Sequence, residues 1–394
     1  MRKFLIQSSF YLWLVFLFAC NSGPSHENIL DERIPLMDQQ LSQLAEVALV
    51  NKRIPRTVHE GKIKFTGQRF DWTEGFFPGT CWYMFELTGD EKWKDIAVEL
   101  EDEFIDHRFI TTNHDLGFVF NCSFGHGYQL TKDEKYKQVL IDAANSLITR
   151  FNTTVGCIQS WNVDRGWQAE RGWQFPVIID NMMNLELLFE VSKFTGDEKY
   201  RDIAISHANT TLKNHFREDG SSIHVVDYDT ITGEVRNRHT AQGFAHESAW
   251  ARGQAWGLYG YTTCYRYTKD ERFLKQAGII AEFFLTHPNL PKDHVPYWDF
   301  NAPKIPNELR DASAGAIVAS ALVELDGYIA NDYKQKAQSI IESLSSEKYF
   351  ASVGENHNFL LMHSVGSIPH GAEIDVPLNY ADYYYTEAIY RLKK

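Results

Sequence analysis

The chain has 394 residues, 44 % of them hydrophobic and 14 % aromatic, and a formal net charge of −13. It is long enough to bury a large core. Its acidic balance, with Lys and Arg scattered rather than clustered, excludes a nucleic-acid-binding surface and means that any anionic ligand needs locally placed cations.

Residues 1–20 read as an address. Arg2 and Lys3 precede the apolar run from Phe10 to Ala19, which is too short to span a bilayer and looks like the core of a secretory signal. The run ends in Leu17-Phe18-Ala19-Cys20, the pattern of a bacterial lipobox, so Cys20 is expected to become the lipidated first residue. An ordinary signal peptide with a chance cysteine is the alternative. Residues 21–30, opening on Asn21-Ser22-Gly23-Pro24-Ser25, form a polar tether. The mature chain is therefore expected outside the cytoplasm, as a periplasmic or outer-membrane lipoprotein touching the membrane only through its lipid.

Residues 31–394 are more than twice the typical ~150 residues of a domain. No Pro/Ser-rich linker or charge block divides them, so one large domain is expected. Helical periodicity predicts twelve helices, near 35–51, 75–88, 91–106, 117–131, 134–150, 181–195, 198–214, 248–268, 271–286, 311–329, 332–346 and 378–392. One phrase recurs between them: Thr88-Gly-Asp-Glu-Lys-Trp93, Thr131-Lys-Asp-Glu-Lys-Tyr136, Thr195-Gly-Asp-Glu-Lys-Tyr200 and Thr268-Lys-Asp-Glu-Arg-Phe273. It suits a tight helix–turn–helix, with Gly or Lys past one helix end, Asp capping the next and Glu in its positive first turn. Twelve helices in hairpins predict an all-α toroid of six pairs, with an open solenoid as the alternative. Strand-like patterns are few; Ser222 to Tyr228 is the candidate.

In such a toroid every second helix starts on the same rim. Four unusual segments lie at those starts: Asp71-Trp72-Thr73-Glu74-Gly75-Phe76, Asn113-His114-Asp115-Leu116-Gly117-Phe118, Ile179-Asp180-Asn181-Met182-Met183-Asn184, and Gln242-Gly243 followed by Trp250-Ala251-Arg252-Gly253-Gln254-Ala255-Trp256. Each has a plainer reading. Asp71, Asp115 and Asp180 suit helix N-caps, Trp72, Trp250 and Trp256 core aromatics, Arg252 an ion pair, and His114 a structural histidine. Their coincidence on one rim points instead to a sugar-acid site. Trp faces cover pyranose rings, Arg pairs a carboxylate with two prongs, and Gln and His bond hydroxyls. Two carboxylates sharing one site push one pKa upward, which leaves a proton for general-acid work, while a helix N-terminus opposes that shift. Cys81, Cys122, Cys157 and Cys264 match no zinc or redox spacing and read as buried free thiols, although export would permit a disulfide.

These same segments, with Tyr380-Ala-Asp382-Tyr383-Tyr384-Tyr385-x-Glu387-Ala388 near the end, resemble glycoside hydrolase family 88, the unsaturated glucuronyl hydrolases. The resemblance runs from about residue 65 to the end; Trp250-x-Arg252-Gly253-Gln254-Ala255-Trp256 is its most specific part and is shared with the unsaturated rhamnogalacturonyl hydrolases. It implies an (α/α)6 barrel over residues 31–394 that needs no metal or organic cofactor. The implied substrate is a lyase product with a 4,5-unsaturated uronic acid at its non-reducing end. An acid protonates C4, water adds at C5, and the hemiketal opens to release the neighbouring sugar. By position, Asp180 matches the general acid/base and Asp115 its assisting carboxylate. Trp72, His114, His224, Gln242, Trp250, Arg252 and Trp256 match pocket positions, and Ser364 and Ser367 match serines that contact sulfated substrates. Where family members taking sulfated disaccharides have Ser-x-x-Ser-x-Lys, this chain has Pro369 in place of Lys; Arg236 and Arg238 are candidate substitutes, or else solvated surface residues. A glycosaminoglycan disaccharide is the expected substrate. The alternatives are an unsaturated rhamnogalacturonyl or ulvan-type hydrolase, a conventional inverting glycosidase, and a non-catalytic surface glycan-binding lipoprotein.

Overall fold

The computed structural model describes residues 26–394; the expected signal peptide and lipidated Cys20 lie outside the described residues. The recurring corners show how the sequence makes its hairpins. At each, the Thr hydroxyl of residue 88, 131, 195 or 268 bonds the carbonyl four residues back and accepts the N–H of the following Asp. The residue between them is left-handed, with φ +70° at Gly89 and +57° at Lys132, which reverses the chain. Asp90, Asp133, Asp197 and Asp270 then accept the N–H two residues on and cap the next helix. Trp93, Tyr136, Tyr200 and Phe273 are buried at the corner.

Helix α1 (His26–Asn51) lies on the outside. Inner α2 (Phe76–Thr88) turns into outer α3 (Glu91–Glu101), and a π-helical segment (Gly117–Gly125) continues as α4 (His126–Thr131) before outer α5 (Glu134–Ile148). After the short α6 (Gly166–Glu170) come the inner–outer pairs α7 (Leu185–Thr195) with α8 (Glu198–Asn214), α9 (Ala251–Thr268) with α10 (Glu271–Thr286), and α11 (Ala312–Asp326) with α12 (Tyr333–Leu344). The inner α13 (Asn379–Lys393) completes the set. Around the inside, α2, the π segment, α7, α9, α11 and α13 each pack on the next, and α13 closes back on α2. The fold is an (α/α)6 barrel, and that closure rules out the open solenoid. Outer helices bury one stripe, as α5 does with Tyr136, Val139, Leu140, Ala143 and Leu147. Inner helices are buried nearly all round; the first eleven residues of α11, Ala312 to Leu322, are all buried.

Four expectations need correction. Helix α1 begins at His26 and runs through Pro35, so the end of the expected tether is helical. The helix read from 117 opens as a π-helix, and that read from 248 starts at Ala251. Strands are also more numerous than expected. β1 (Pro55–His59) pairs with β2 (Lys62–Phe65), and β3 (Phe151–Asn152) with β4 (Cys157–Ile158). β5 (Pro176–Ile178), β6 (Val225–Tyr228) and β7 (Val235–His239) form a third sheet, and β8 (Ser364–Ser367) with β9 (Ala372–Val376) a fourth. Strands of two to five residues carry too little alternation to be read from sequence. The expected strand at 222–228 is β6. The four thiols are free and buried. Among the described residues no helix is long and apolar enough to cross a membrane.

Candidate active site

Asp180 sits where strand β5 runs into a 3-10 turn, Ile179–Asn184. Because β5 pairs with β6, the Ile179 N–H donates to the His224 carbonyl at 3.0 Å and sets that histidine beside the aspartate. His224 Nε2 lies 3.7 Å from Asp180 Oδ2, and neither atom has a hydrogen-bond partner among the described residues. The other ring nitrogen, Nδ1, accepts the backbone N–H of Ala241 at 3.1 Å and of Gln242 at 3.3 Å. An acceptor at Nδ1 puts the ring proton on Nε2, on the side of Asp180.

Asp115 follows a short turn in which its own N–H donates to Asn113 Oδ1 at 2.9 Å. Directly after it the π segment begins, a wider turn common at functional sites. Gly117 is required there: a Cβ would stand 2.4 Å from the Asn184 Cα. That close approach lets Asn184 Oδ1 accept the N–H groups of Gly117 and Phe118 at 2.8 and 3.1 Å, while its amide nitrogen lies 3.4 Å from His114 Nδ1. One asparagine thus ties the segment bearing Asp115 to the segment bearing Asp180. None of the three aspartates caps a helix. Asp71 instead accepts from Thr73 and pairs with Arg56 at 2.6 Å.

The electrostatics follow from burial. Desolvation raises the Asp180 carboxyl to about 7, against the pull of the Arg252 charge toward the ionised form. Burial first, and the neighbouring charge of Asp180 second, hold Asp115 well above the usual carboxylate range. His114 and His224 are pushed well below theirs, chiefly by burial, and are neutral. The site therefore presents an acid that keeps its proton near neutrality, a second reluctant carboxyl, and two neutral imidazoles.

Trp72, His114, Asp115, Asp180, Gln242 and Arg252 all line one pocket of about 370 Å³ at this rim. Other sequence candidates stand behind its wall. Trp250 is buried with its ring against His224 (centroids 4.6 Å apart) and under the Arg252 guanidinium (4.5 Å), so it braces these two rather than covering a sugar. Trp256 is fully buried, edge-on to Phe118. Ser364 has no exposed surface, so its hydroxyl is closed to a ligand here, and the Ser367 hydroxyl is held by His370 Nδ1 at 2.7 Å. Arg252 is partly committed: Nη1 bonds Asp311 at 2.9 Å and the Val365 carbonyl, and Nη2 the Gly366 carbonyl. Its charge faces the pocket, but an end-on two-pronged grip on a carboxylate is not free. Arg236 pairs with Asp227 at 2.6 Å and Arg238 bonds the Asn214 carbonyl; neither reaches the pocket.

Sequence reasoning assigned no pocket role to Arg56, Trp161, Trp167, Ile178 or His370, all of which line it. Trp161 packs edge-on to Trp167 (5.0 Å) and stacks on Trp173 (5.7 Å), and His370 lies 4.9 Å from Trp167. Three tryptophans spaced six apart in a Gly- and Arg-containing stretch were a usable signal. Arg56 had none: it is placed by Glu373 on β9, at 2.5 Å, and by Asp71.

Known proteins resemble this chain along most of its length. The model of Glycosyl Hydrolase Family 88 matches residues 47–393. An unsaturated glucuronyl hydrolase of Formosa agariphila is 49 % identical over 339 residues, 86 % of this chain and 82 % of that protein. An unsaturated chondroitin disaccharide hydrolase of Streptococcus pneumoniae is 34 % identical, covering 82 % of each. The crystal structure of an unsaturated glucuronyl hydrolase specific for heparin superposes with a TM-score of 0.89 at 45 % identity, over 93 % of this chain and 97 % of that one.

Proposed function

Because the chain belongs to glycosyl hydrolase family 88, we propose that this glycoside hydrolase removes a 4,5-unsaturated uronic acid from the non-reducing end of lyase-generated glycosaminoglycan disaccharides. The observation that carries the mechanism is the buried carboxyl pair, with Asp180 raised to about 7. A carboxylic acid still protonated near neutrality delivers its proton to C4 of the enol ether, and positive charge develops at C5 and the ring oxygen. Water then adds to C5 and returns a proton to the Asp180 carboxylate, which restores the acid. The C5 hemiketal opens to a ketone, C1 is left as a hemiacetal, and its collapse frees the neighbouring sugar. Asp115 shares the site and, through its own reluctance to ionise, is suited to bond a ring hydroxyl as a donor. The substrate class is supported by the relatives that act on chondroitin disaccharides or heparin. The buried Ser364 and the engaged Ser367 give no support to sulfate reading by those two hydroxyls.

The test is to mix the protein with unsaturated disaccharides from chondroitin, heparin, hyaluronan, ulvan and pectin lyase digests. The ultraviolet band of the conjugated enol ether is then followed. Loss of the band on a glycosaminoglycan disaccharide is the expected result. Loss only on the ulvan or pectin products would move the substrate to rhamnose-linked uronides, and an unchanged band on all five would overturn the reaction. We further propose that the mature chain is lipid-anchored through Cys20 outside the cytoplasm, supported by the apolar run ending in Leu17-Phe18-Ala19-Cys20.

A further inference from the structure

The axis of the barrel holds a second chamber, of about 400 Å³, toward the ends of the inner helices that lie away from the pocket. Phe118 lines both spaces, and its ring, edge-on to Trp72 (5.4 Å) and Trp256 (5.0 Å), separates them. We propose that this chamber is a separate binding site for a neutral, hydroxyl-rich molecule of monosaccharide size.

Four features define the ligand. The volume falls within the roughly 300–1,000 Å³ of small-molecule sites. The walls are tyrosine-rich, with Tyr83, Tyr259, Tyr383, Tyr384 and Tyr390 contributing, and aromatic faces suit sugar rings. The charges cancel: Arg266 pairs with Glu186 and with Glu324 (2.6 Å), Arg391 with Glu387 (2.9 Å) and Glu324 (3.1 Å), and Lys394 lies 3.7 Å from Glu86. His126, lowered by burial, is neutral as well. An ion would thus find no unbalanced partner. Polar capacity remains nonetheless. The buried Asn121 Oδ1, which lines the chamber, has no hydrogen-bond partner among the described residues, and Tyr383 and Tyr384 bring phenol groups to the same wall. The site is also mechanically joined to the catalytic rim. Asn121 and Cys122 belong to the π segment that begins two residues after Asp115, so an occupant bears on that segment from below.

The experiment is a calorimetric titration of the full chain with N-acetylglucosamine, N-acetylgalactosamine, glycerol and glucuronate, together with crystal soaks. Saturable binding of a neutral sugar is expected in the native protein and in Asp180→Asn, weakened about tenfold or more in Asn121→Leu and in Tyr383→Phe, which keeps the ring and guards against a folding defect. Glucuronate should not bind in the chamber. Binding of glycerol alone would make the ligand a small polyol and overturn the sugar assignment. The site itself is overturned if no neutral sugar saturates, if both chamber variants bind as the native protein does, or if soaks show only ordered water below Phe118. None of these readouts depends on the hydrolytic reaction, so failure here leaves that reading untouched.

Discussion

At the residue scale, the governing fact is that Asp180 is costly to ionise. Its folded pKa, about 7, exceeds the unfolded value of 3.8. The folded state therefore holds this proton more tightly, and the charged carboxylate destabilises it. That penalty is absent at acid pH and grows as pH rises from about 4 to about 7, by roughly 1.4 kcal/mol per pH unit across that window. Asp180→Asn is expected to abolish turnover while gaining thermal stability over the native protein above pH 7 and none near pH 4. Melting curves at the two pH values check the sign. The native enzyme's kcat should likewise fall as pH rises through the Asp180 titration, and a profile flat from pH 5 to 9 would remove Asp180 from the acid role. A second residue-scale prediction concerns Asp311, which caps α11 through Ser313 and balances the buried Arg252 at 2.9 Å. Removing one partner of a buried pair costs about 3–5 kcal/mol. Asp311→Ala should lose that much in denaturant unfolding and raise KM as Arg252 is released.

At the element scale, the four corners each rely on one Asp side chain for the first turn of an outer helix. Asp133→Ala should cost about 1 kcal/mol with activity unchanged, since the corner lies at the rim away from the pocket. The inner helices tolerate less. A Cβ at Gly75 would stand 2.1 Å from the Val119 carbonyl oxygen, where α2 meets the π segment. Gly75→Ala must push that segment, and Asp115 with it, so its expected signature is a loss of kcat larger than its loss of stability. Comparing turnover with unfolding free energy separates this from a general packing defect. The corners were legible in the sequence because Thr, Asp and a left-handed residue satisfy one another within six positions. The π-helix was not legible: its first N–H groups are held by Asn184, which reaches in from the 3-10 turn before α7.

At the scale of the whole molecule, α13 fixes an orientation. Its first residue, Asn379, bonds the carbonyls of Pro55 (2.9 Å) and Thr73 (3.0 Å) at the pocket rim, whereas Lys393 at its far end pairs with Asp31 at the start of α1. Helix α1 thus begins at the rim opposite the pocket, so an anchor at Cys20, if the chain carries one, would attach on the side away from the residues that bind substrate. Under the proposed anchoring, Cys20→Ala should leave the membrane fraction, and the membrane-bound native enzyme should turn over a soluble disaccharide as fast as that variant. Continued sedimentation of Cys20→Ala with membranes would refute the anchor.

The sequence by itself determined the hairpins, their number and the rim on which Asp115, Asp180, His114, Gln242 and Arg252 gather. Helix periodicity and capping are local, and alternation of direction follows from short turns. Only the tertiary structure decided which side chains reach the cavity. Arg56 enters because Glu373, 317 residues away, holds it; Trp161 and His370 enter on loops and Trp167 on the short α6; Trp250 withdraws under Arg252 and Ser364 is fully buried. Those outcomes are set by packing between distant segments, which local periodicity and capping do not encode; only the even spacing of Trp161, Trp167 and Trp173 left a trace in the sequence.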